Sequence, residues 1–445
     1  MSQDLRMLSQ SQGSNVSEDF RKNYLSFLSR CAREFGEVVP VQLDDGLYCV
    51  LTNPEHIMAI LTNRLLFTKA DDFRSMQDLL GNGLLLSEGS FWLRQRRLTQ
   101  PVFHSERIRG YGETMVAYTQ KMLQMWHQDE LHNVHQDMMR LTLNIVMKTL
   151  FNQDLTDQDV RNIAQVIETG VNWVVKKRVA AAIGKPVPDS AETHYQQAIA
   201  LFVKTLDRMI DQRRQAGLTG NDLLSLLMQV EDADAGSRMT NQQLRDEAAT
   251  LIMAGHETTS NTLTRTWYLL EQNPEVRSKL QAELLTVLAG RLPTVEDLPK
   301  LTYASQVIKE TMRLYPTVVD MKRKTVQDCE IGGYFIPRGT TLIASQWVMH
   351  RDPRYFDAPE VFIPDRWAGD LENRLPRGVY FPFGDGPRVC IGKSFAQMEA
   401  VLILATIAQQ FNLELVPHQN IQVYPYLTLH PREGLHVMVR KVASP

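Results

Sequence analysis

The sequence predicts an α+β fold, mainly α: a single large helical domain with small β-sheets drawn from both ends of the chain. Three observations point there. Strand-type alternation occurs near residues 38–51 and again after Pro316. Between them, from about residue 54 to 316, apolar residues recur at helical spacing. No internal repeat, low-complexity run or linker divides the 445 residues, so 1–445 reads as one domain.

The first 20 residues are polar and are expected to be flexible. They hold no apolar signal core, and no run of about 20 apolar residues follows anywhere in the chain. The expectation is a soluble, cytoplasmic protein with no membrane anchor. Val39, Val41 and Leu43 alternate, Asp45-Gly46 supplies a turn, and Leu47, Cys49 and Leu51 alternate again, which reads as a hairpin. Asn53 then caps a helix that Pro54 opens. Periodicity and caps place further helices over about 104–127, 135–151, 157–178, 191–216 and 241–272. The last begins with a capping box at Thr240–Gln243. Residues 184–190 separate two helices, and 231–238 read as an exposed loop. Beyond Pro316, residues 317–345 are strand-like, with turns at Gly332-Gly333 and Pro337-Arg338-Gly339. A loop rich in Pro, Asp and aromatic residues covers 350–389, and a helix follows over about 391–411. Leu427, Leu429, Leu435, Val437 and Val439 alternate to the end.

Charge is nearly balanced, with 48 basic and 51 acidic residues, so composition offers nothing to nucleic acid. The four cysteines, Cys31, Cys49, Cys329 and Cys390, form no CxxC pair, which argues against zinc or a disulfide framework. They suit a reducing compartment. Cys31 and Cys49 read as small buried hydrophobes. Cys390 is different. It lies in Phe383-Gly384-Asp385-Gly386-Pro387-Arg388-Val389-Cys390-Ile391-Gly392, a Gly-rich turn just before an apolar helix. Backbone N–H groups at a helix start favour negative charge and lower a thiol pKa. Arg388 adds a cation nearby.

Four separated motifs, taken together, resemble the cytochrome P450 family over about residues 30–440. The cysteine segment resembles that family's haem-binding loop. Glu310-Thr311-Met312-Arg313 resembles its ExxR motif, and Ala254-Gly255-His256-Glu257-Thr258-Thr259 its oxygen-activating helix. Trp92-Leu93-Arg94-Gln95-Arg96 resembles its WxxxR helix. The resemblance implies haem b (iron protoporphyrin IX) with Cys390 as the axial ligand of the iron, since a thiolate pushes electron density toward bound oxygen. It implies Trp92, Arg96, Arg323 and Arg388 around the haem propionates, with Ala254 and Gly392 also against the cofactor. Phe383 packs near the thiolate or is a plain core aromatic.

Thr258 is placed to bond back to the Ala254 carbonyl, and Glu257-Thr258 to form an acid–hydroxyl proton relay. Glu310 and Arg313 share a helix face; by resemblance they join Arg366 in a buried structural set, where Trp367 stands in place of the family's usual Phe. His256 reads as a solvated or helix-packing residue.

The implied activity is monooxygenation: one atom of O2 inserted into a C–H bond of a mainly apolar small molecule. The alternatives are a peroxide-using or rearranging haem-thiolate enzyme, or a non-catalytic haem sensor. The pocket by resemblance includes Leu84, Leu85, Leu251, Ala254, Val318, Val319, Asp320 and Leu427. Asp320 contacts a basic or hydroxylated substrate, or instead faces solvent, Lys322 or Lys324. No reductase segment is evident, so electrons are expected from a ferredoxin or flavodoxin with its NAD(P)H-dependent reductase. Arg94, Arg97, Lys309 and Lys393 are candidates for that partner's docking patch. The protein is expected to be monomeric. The motif wording is most similar to a bacterial branch containing fatty-acid, terpene and carotenoid hydroxylases.

Overall fold

The computed structural model describes residues 16–182, 186–217, 222–229, 238–419, 421, 423–425, 428–431 and 433–442. The chain opens with two helices, α1 (Val16–Lys22) and α2 (Tyr24–Glu34). Residues 16–20, the end of the stretch expected to be flexible, lie in α1, and residues 1–15 lie outside the described residues. α2 buries Phe27, Leu28 and Cys31 on one face, and the three pack with Val39, Val41 and Val50 in a small apolar cluster.

β1 (Val38–Leu43) and β2 (Gly46–Leu51) form the expected antiparallel hairpin. α3 (Pro54–Thr62) starts where Asn53 accepts the Glu55 N–H and Pro54 fills the first turn. β3 (Phe67–Lys69), the one-turn α4 (Gln77–Leu80) and α5 (Gly89–Thr99) follow. The helical block contains α6 (Ser105–Leu123), α7 (Val134–Phe151), α8 (Asp157–Ala182), α9 (Asp189–Gln215) and α10 (Leu223–Gln229). β4 (Leu131–Asn133) precedes α7, whose N-cap Asn133 accepts the Gln136 N–H.

α11 (Asn241–Gln272) is 32 residues long and crosses the core, closed at its start by a capping box between Thr240 and Gln243. α12 (Pro274–Leu288) and α13 (Thr302–Leu314) follow. The strand-like stretch resolves into β5 (Met321–Thr325), β6 (Cys329–Ile331), β7 (Tyr334–Ile336) and β8 (Thr341–Ala344). Two short helices, α14 (Gln346–Met349) and α15 (Leu371–Arg374), punctuate the long loop, and α16 (Lys393–Ala408) follows it. β9 (Phe411–Leu415), β10 (Val423–Pro425), β11 (Leu429–Pro431) and β12 (His436–Lys441) end the fold.

The main sheet has the order β1-β2-β8-β5-β3, so strands from near residue 50 and near residue 340 pair directly. β2 and β8 run parallel, with Cys49 opposite Leu342. A second sheet joins β4, β12 and β9. The largest apolar core gathers α6, α7, α11, α13 and α16 around Ile145, Ile252, Leu263, Val307 and Leu404, each fully or almost fully buried. Residues 184–185 and 231–237, within the two predicted breaks, lie outside the described residues.

Candidate active site

The cysteine loop closes on itself. The Cys390 N–H donates to the Phe383 carbonyl at 2.9 Å, and Asp385 accepts the Gly386 N–H at 2.6 Å. Gly386 adopts φ +69°, and a Cβ there would lie 2.5 Å from the Leu61 carbonyl oxygen at the end of α3. Glycine therefore lets this loop press onto α3. Cys390 retains open surface although dense protein around it raises its thiol above the usual range. Both hold for a side chain facing an internal hollow. The Gly392 N–H, Arg96 and Lys393 pull the thiol down, as the turn chemistry led us to expect, but burial outweighs them.

On α11, Ala254 is exposed and Thr258 half-buried, while Leu251, Ile252 and Met253 before them are buried. An open patch in the middle of a core helix again marks an internal hollow. The Thr258 hydroxyl donates to the Ala254 carbonyl at 2.8 Å. Glu257 is 8 % exposed, and burial raises its carboxyl. Its Oε1 accepts from the Thr428 hydroxyl at 2.5 Å. The acid and hydroxyl of the expected relay are thus bonded to separate partners. Thr428, just before β11, also receives the Asn261 amide at 3.3 Å.

Cations gather beside the loop. Arg388 donates to the Ser87 carbonyl at 3.2 Å and to Glu88, and lies 4.2 Å over the Trp92 ring. Arg96 donates to the Val389 carbonyl at 2.8 Å. Arg323 is 4 % exposed; its Nη1 reaches the Lys322 carbonyl at 3.0 Å, while Nη2 has no partner. Lys69 donates to the Leu85 carbonyl. Burial, Arg388 and Arg323 push its ammonium down to about 7. Of the carboxylates among the described residues, only Glu88 acts on Lys69, Arg323 and Arg388. Sequence reasoning missed Lys69 on β3, Glu88 just ahead of α5 and the bond that Thr428 makes just before β11; no motif surrounds the first two.

The family model described as Cytochrome P450 matches residues 13–437. The chain belongs to the cytochrome P450 family. It is 34% identical over 387 residues to cyclooctat-9-en-7-ol 5-monooxygenase of Streptomyces melanosporofaciens, covering 86% of this chain and 83% of that protein. It is 30% identical to pentalenene oxygenase of Streptomyces avermitilis, over 92% of this chain and 91% of that one. The crystal structure of the cytochrome P450DA heme domain matches with a TM-score of 0.89 at 26% identity, over 100% of this chain and 99% of that one. The chain is thus a monooxygenase-family oxidoreductase, and the family implies a haem–thiolate cofactor. The cation cluster fits such a group: among the described residues, three buried or half-buried cations share one carboxylate, and the guanidinium of Arg323 has an orphaned nitrogen, so two propionates would supply the missing negative charge.

The P450 fold also explains the third cluster. On α13, Glu310 and Arg313 are both 0 % exposed. Arg313 donates to Glu310 at 2.9 and 2.8 Å and to the carbonyls of His350, Pro359 and Val361. Arg366 and the Trp367 indole donate to the same carboxylate at 2.9 and 2.8 Å. The set pins the long loop ahead of Cys390 to α13.

Among the expected pocket residues, Leu84, Leu251 and Val319 are buried, and Leu85 and Val318 half-buried. Leu427 lies outside the described residues. Asp320 is turned elsewhere: it accepts the Tyr24 hydroxyl at 2.5 Å and faces Lys322 at 3.8 Å. Of the readings left open for it, pairing with Lys322 is the one observed. Phe383 is half-buried against the core, 6.0 Å from the Lys393 ammonium. His256 packs inside the helix bundle, bonded to the Ile252 carbonyl at 2.9 Å. Lys309 and Lys393, proposed for partner docking, both face Glu372, at 2.7 and 3.7 Å. That carboxylate offsets much of their charge.

No helix among the described residues is long and apolar enough to cross a membrane.

Proposed function

We propose that the chain is a haem b monooxygenase that inserts one atom of O2 into a C–H bond of an apolar, terpene-like molecule. The observation carrying this reading is the open sulfur of Cys390 in a closed Gly-rich loop beside cations short of counter-charge. Cys390 holds the iron, and Gly392 donates its N–H to the sulfur. Arg323, Arg388, Arg96 and Lys69 hold the propionates, with Trp92 beneath Arg388. The haem, when bound, supplies an iron that activates O2 with electron push from the thiolate.

The Thr258 hydroxyl gives its proton to the Ala254 carbonyl, so its oxygen is left to accept from, and hold, a proton donor such as water. Glu257 is a buried acid one residue away whose bond to Thr428 ties the helix to the C-terminal hairpin. Leu84, Leu85, Leu251, Val318 and Val319 exclude water and favour an apolar substrate. The names of the relatives, which oxidise cyclooctat-9-en-7-ol and pentalenene, support a terpene. Electrons come from a separate ferredoxin or flavodoxin with its reductase and NAD(P)H.

The test is reconstitution with haem, then turnover with a surrogate ferredoxin system and a terpene panel under isotope-labelled O2. One labelled oxygen per product is expected, together with the thiolate-type Soret band of the reduced CO complex and its loss in Cys390→Ser. Turnover with peroxide but none with the reductase system overturns the monooxygenase reading.

A further inference from the structure

The loop that carries Leu84 and Leu85 is held by two buried acids on α11. Asp246 accepts the Asn82 N–H at 2.8 Å and the Gln242 amide at 2.6 Å. Glu247, 0 % exposed, accepts the Leu84 N–H at 3.1 Å and the Gln95 amide at 2.9 Å. Two glycines make the approach possible. A Cβ on Gly81 would fall 2.0 Å from Asp246, and one on Gly83 would fall 2.3 Å from the Thr250 hydroxyl. The loop, α11 and α5 therefore meet at Glu247, and Gln95 stands next to Arg96 in the chain.

Among the described residues, no cation acts on this carboxylate. On α11 its charged neighbour is Asp246, which disfavours its ionisation, while Arg245 is turned to Asp207 at 2.9 Å. From α5 and the loop it meets only the neutral Gln95 amide and the Leu84 N–H. A buried carboxylate held by two neutral donors pays heavily for its charge. Gln95 Oε1 is itself buried without a partner. Rotating that amide by half a turn presents Oε1 to Glu247. A neutral Glu247 then donates its O–H to Gln95 and keeps accepting from Leu84, while the amide nitrogen takes the unpartnered place that Oε1 held.

We propose that Glu247 is a positioning residue for the substrate pocket: as a neutral acid it latches the 81–86 loop to α11 and α5, and its ionisation loosens the loop. This rests on the reading of Leu84 and Leu85 as pocket wall.

The sign follows from the environment. Burial raises the Glu247 carboxyl from 4.5 to about 7, so the latched loop binds the proton more tightly than the released one. Latching is complete below 4.5, is lost as pH rises toward 7, and levels off above.

Amide hydrogen exchange of the holoprotein, corrected for intrinsic rates, tests the latch. Protection of the 82–86 amides is expected to fall roughly tenfold per pH unit between about 5 and 7. In Glu247→Gln, which is always neutral and able to bond both Leu84 and Gln95, protection stays high and flat. In Asp246→Asn the step remains but moves to lower pH, because a neighbouring negative charge is gone. A flat wild-type profile overturns the proposal without need of any variant, as does a loop that Glu247→Gln loosens at every pH.

Soret titration with 4-phenylimidazole at pH 7.5 tests the positioning role. Glu247→Gln is expected to bind it more tightly than wild type. Equal affinity, with the exchange step present, reduces the latch to a structural contact and overturns the positioning role. Absence of any Soret response in either protein speaks against the haem reading instead.

Discussion

Glu310 receives N–H bonds from Arg313, Arg366, the Ile363 backbone and the Trp367 indole, all while fully buried. Trp367→Phe removes only the indole bond and is expected to cost about 1.5–3 kcal/mol, as for a hydrogen bond to a charged group. Glu310→Ala strands the buried guanidinium of Arg313 and should cost about 3–5 kcal/mol. Urea unfolding checks the order; a larger loss for Trp367→Phe would contradict it. The Glu310–Arg313 pair was legible because their spacing puts them on one helix face. The role of Trp367 was not, because treating it as an aromatic like Phe ignores its N–H.

Thr258 and Thr428 divide along the same line. The Thr258 bond to Ala254 followed from the mid-helix threonine itself. The partner of Glu257 comes from 171 residues away in sequence, a separation that local pattern does not reach. Thr258→Ala is expected to lower product formed per NAD(P)H consumed with little change in the resting Soret band, and Thr258→Ser to restore most of it. Thr428→Val should instead alter substrate affinity with product yield per NAD(P)H kept. Equal loss of yield in both variants would return Glu257 to the proton relay.

At the scale of elements, Gly83 shows what packs the pocket loop. Gly83→Ala would place its Cβ 2.5 Å from the backbone oxygen of Asp246, which cannot swing away as a side chain does. The expected destabilisation is about 1–3 kcal/mol, read as a lower melting temperature; an unchanged melting point would mean that the loop yields freely. The long helices were legible at nearly their observed bounds, because their apolar periodicity and caps are local. α11, foreseen over 241–272, spans Asn241–Gln272. α1 escaped notice because its sequence is polar, and α2 because its one apolar face, Phe27, Leu28 and Cys31, is short and finds its cover on β1 and β2. The stretch after Pro316 read as strand-like, but its order in the sheet depends on partners nearly 300 residues earlier.

Across the whole molecule, the fully buried imidazoles of His256 and His350 and the half-buried one of His135 share one electrostatic fate. His135 at the start of α7 and His256 in α11 are pushed down to about 4, and His350 to about 3, chiefly by burial. Each has a folded pKa below its unfolded 6.5. Their contribution is therefore full above 6.5 and is lost as pH falls through 4 to 3, each tenfold change in proton affinity being worth about 1.4 kcal/mol. NMR titration should find their ring signals nearly unmoved from pH 8 to 5. Movement of these three within that window would contradict the burial seen here. His350 matters most, because its Nε2 accepts the Phe381 N–H at 3.1 Å and so helps to hold the segment that leads to Cys390.

The pairing of β2 with β8 sets a clock for synthesis. Gly46–Leu51 leaves the ribosome long before Thr341–Ala344, its parallel neighbour. At bacterial and eukaryotic elongation rates, the hairpin waits on the order of 15–60 s for that strand. During this delay an apolar strand edge has no native cover and is open to wrong pairing. The nascent chain thus has a defined interval of vulnerability, and a holding chaperone acting before residue 344 emerges would be most valuable there.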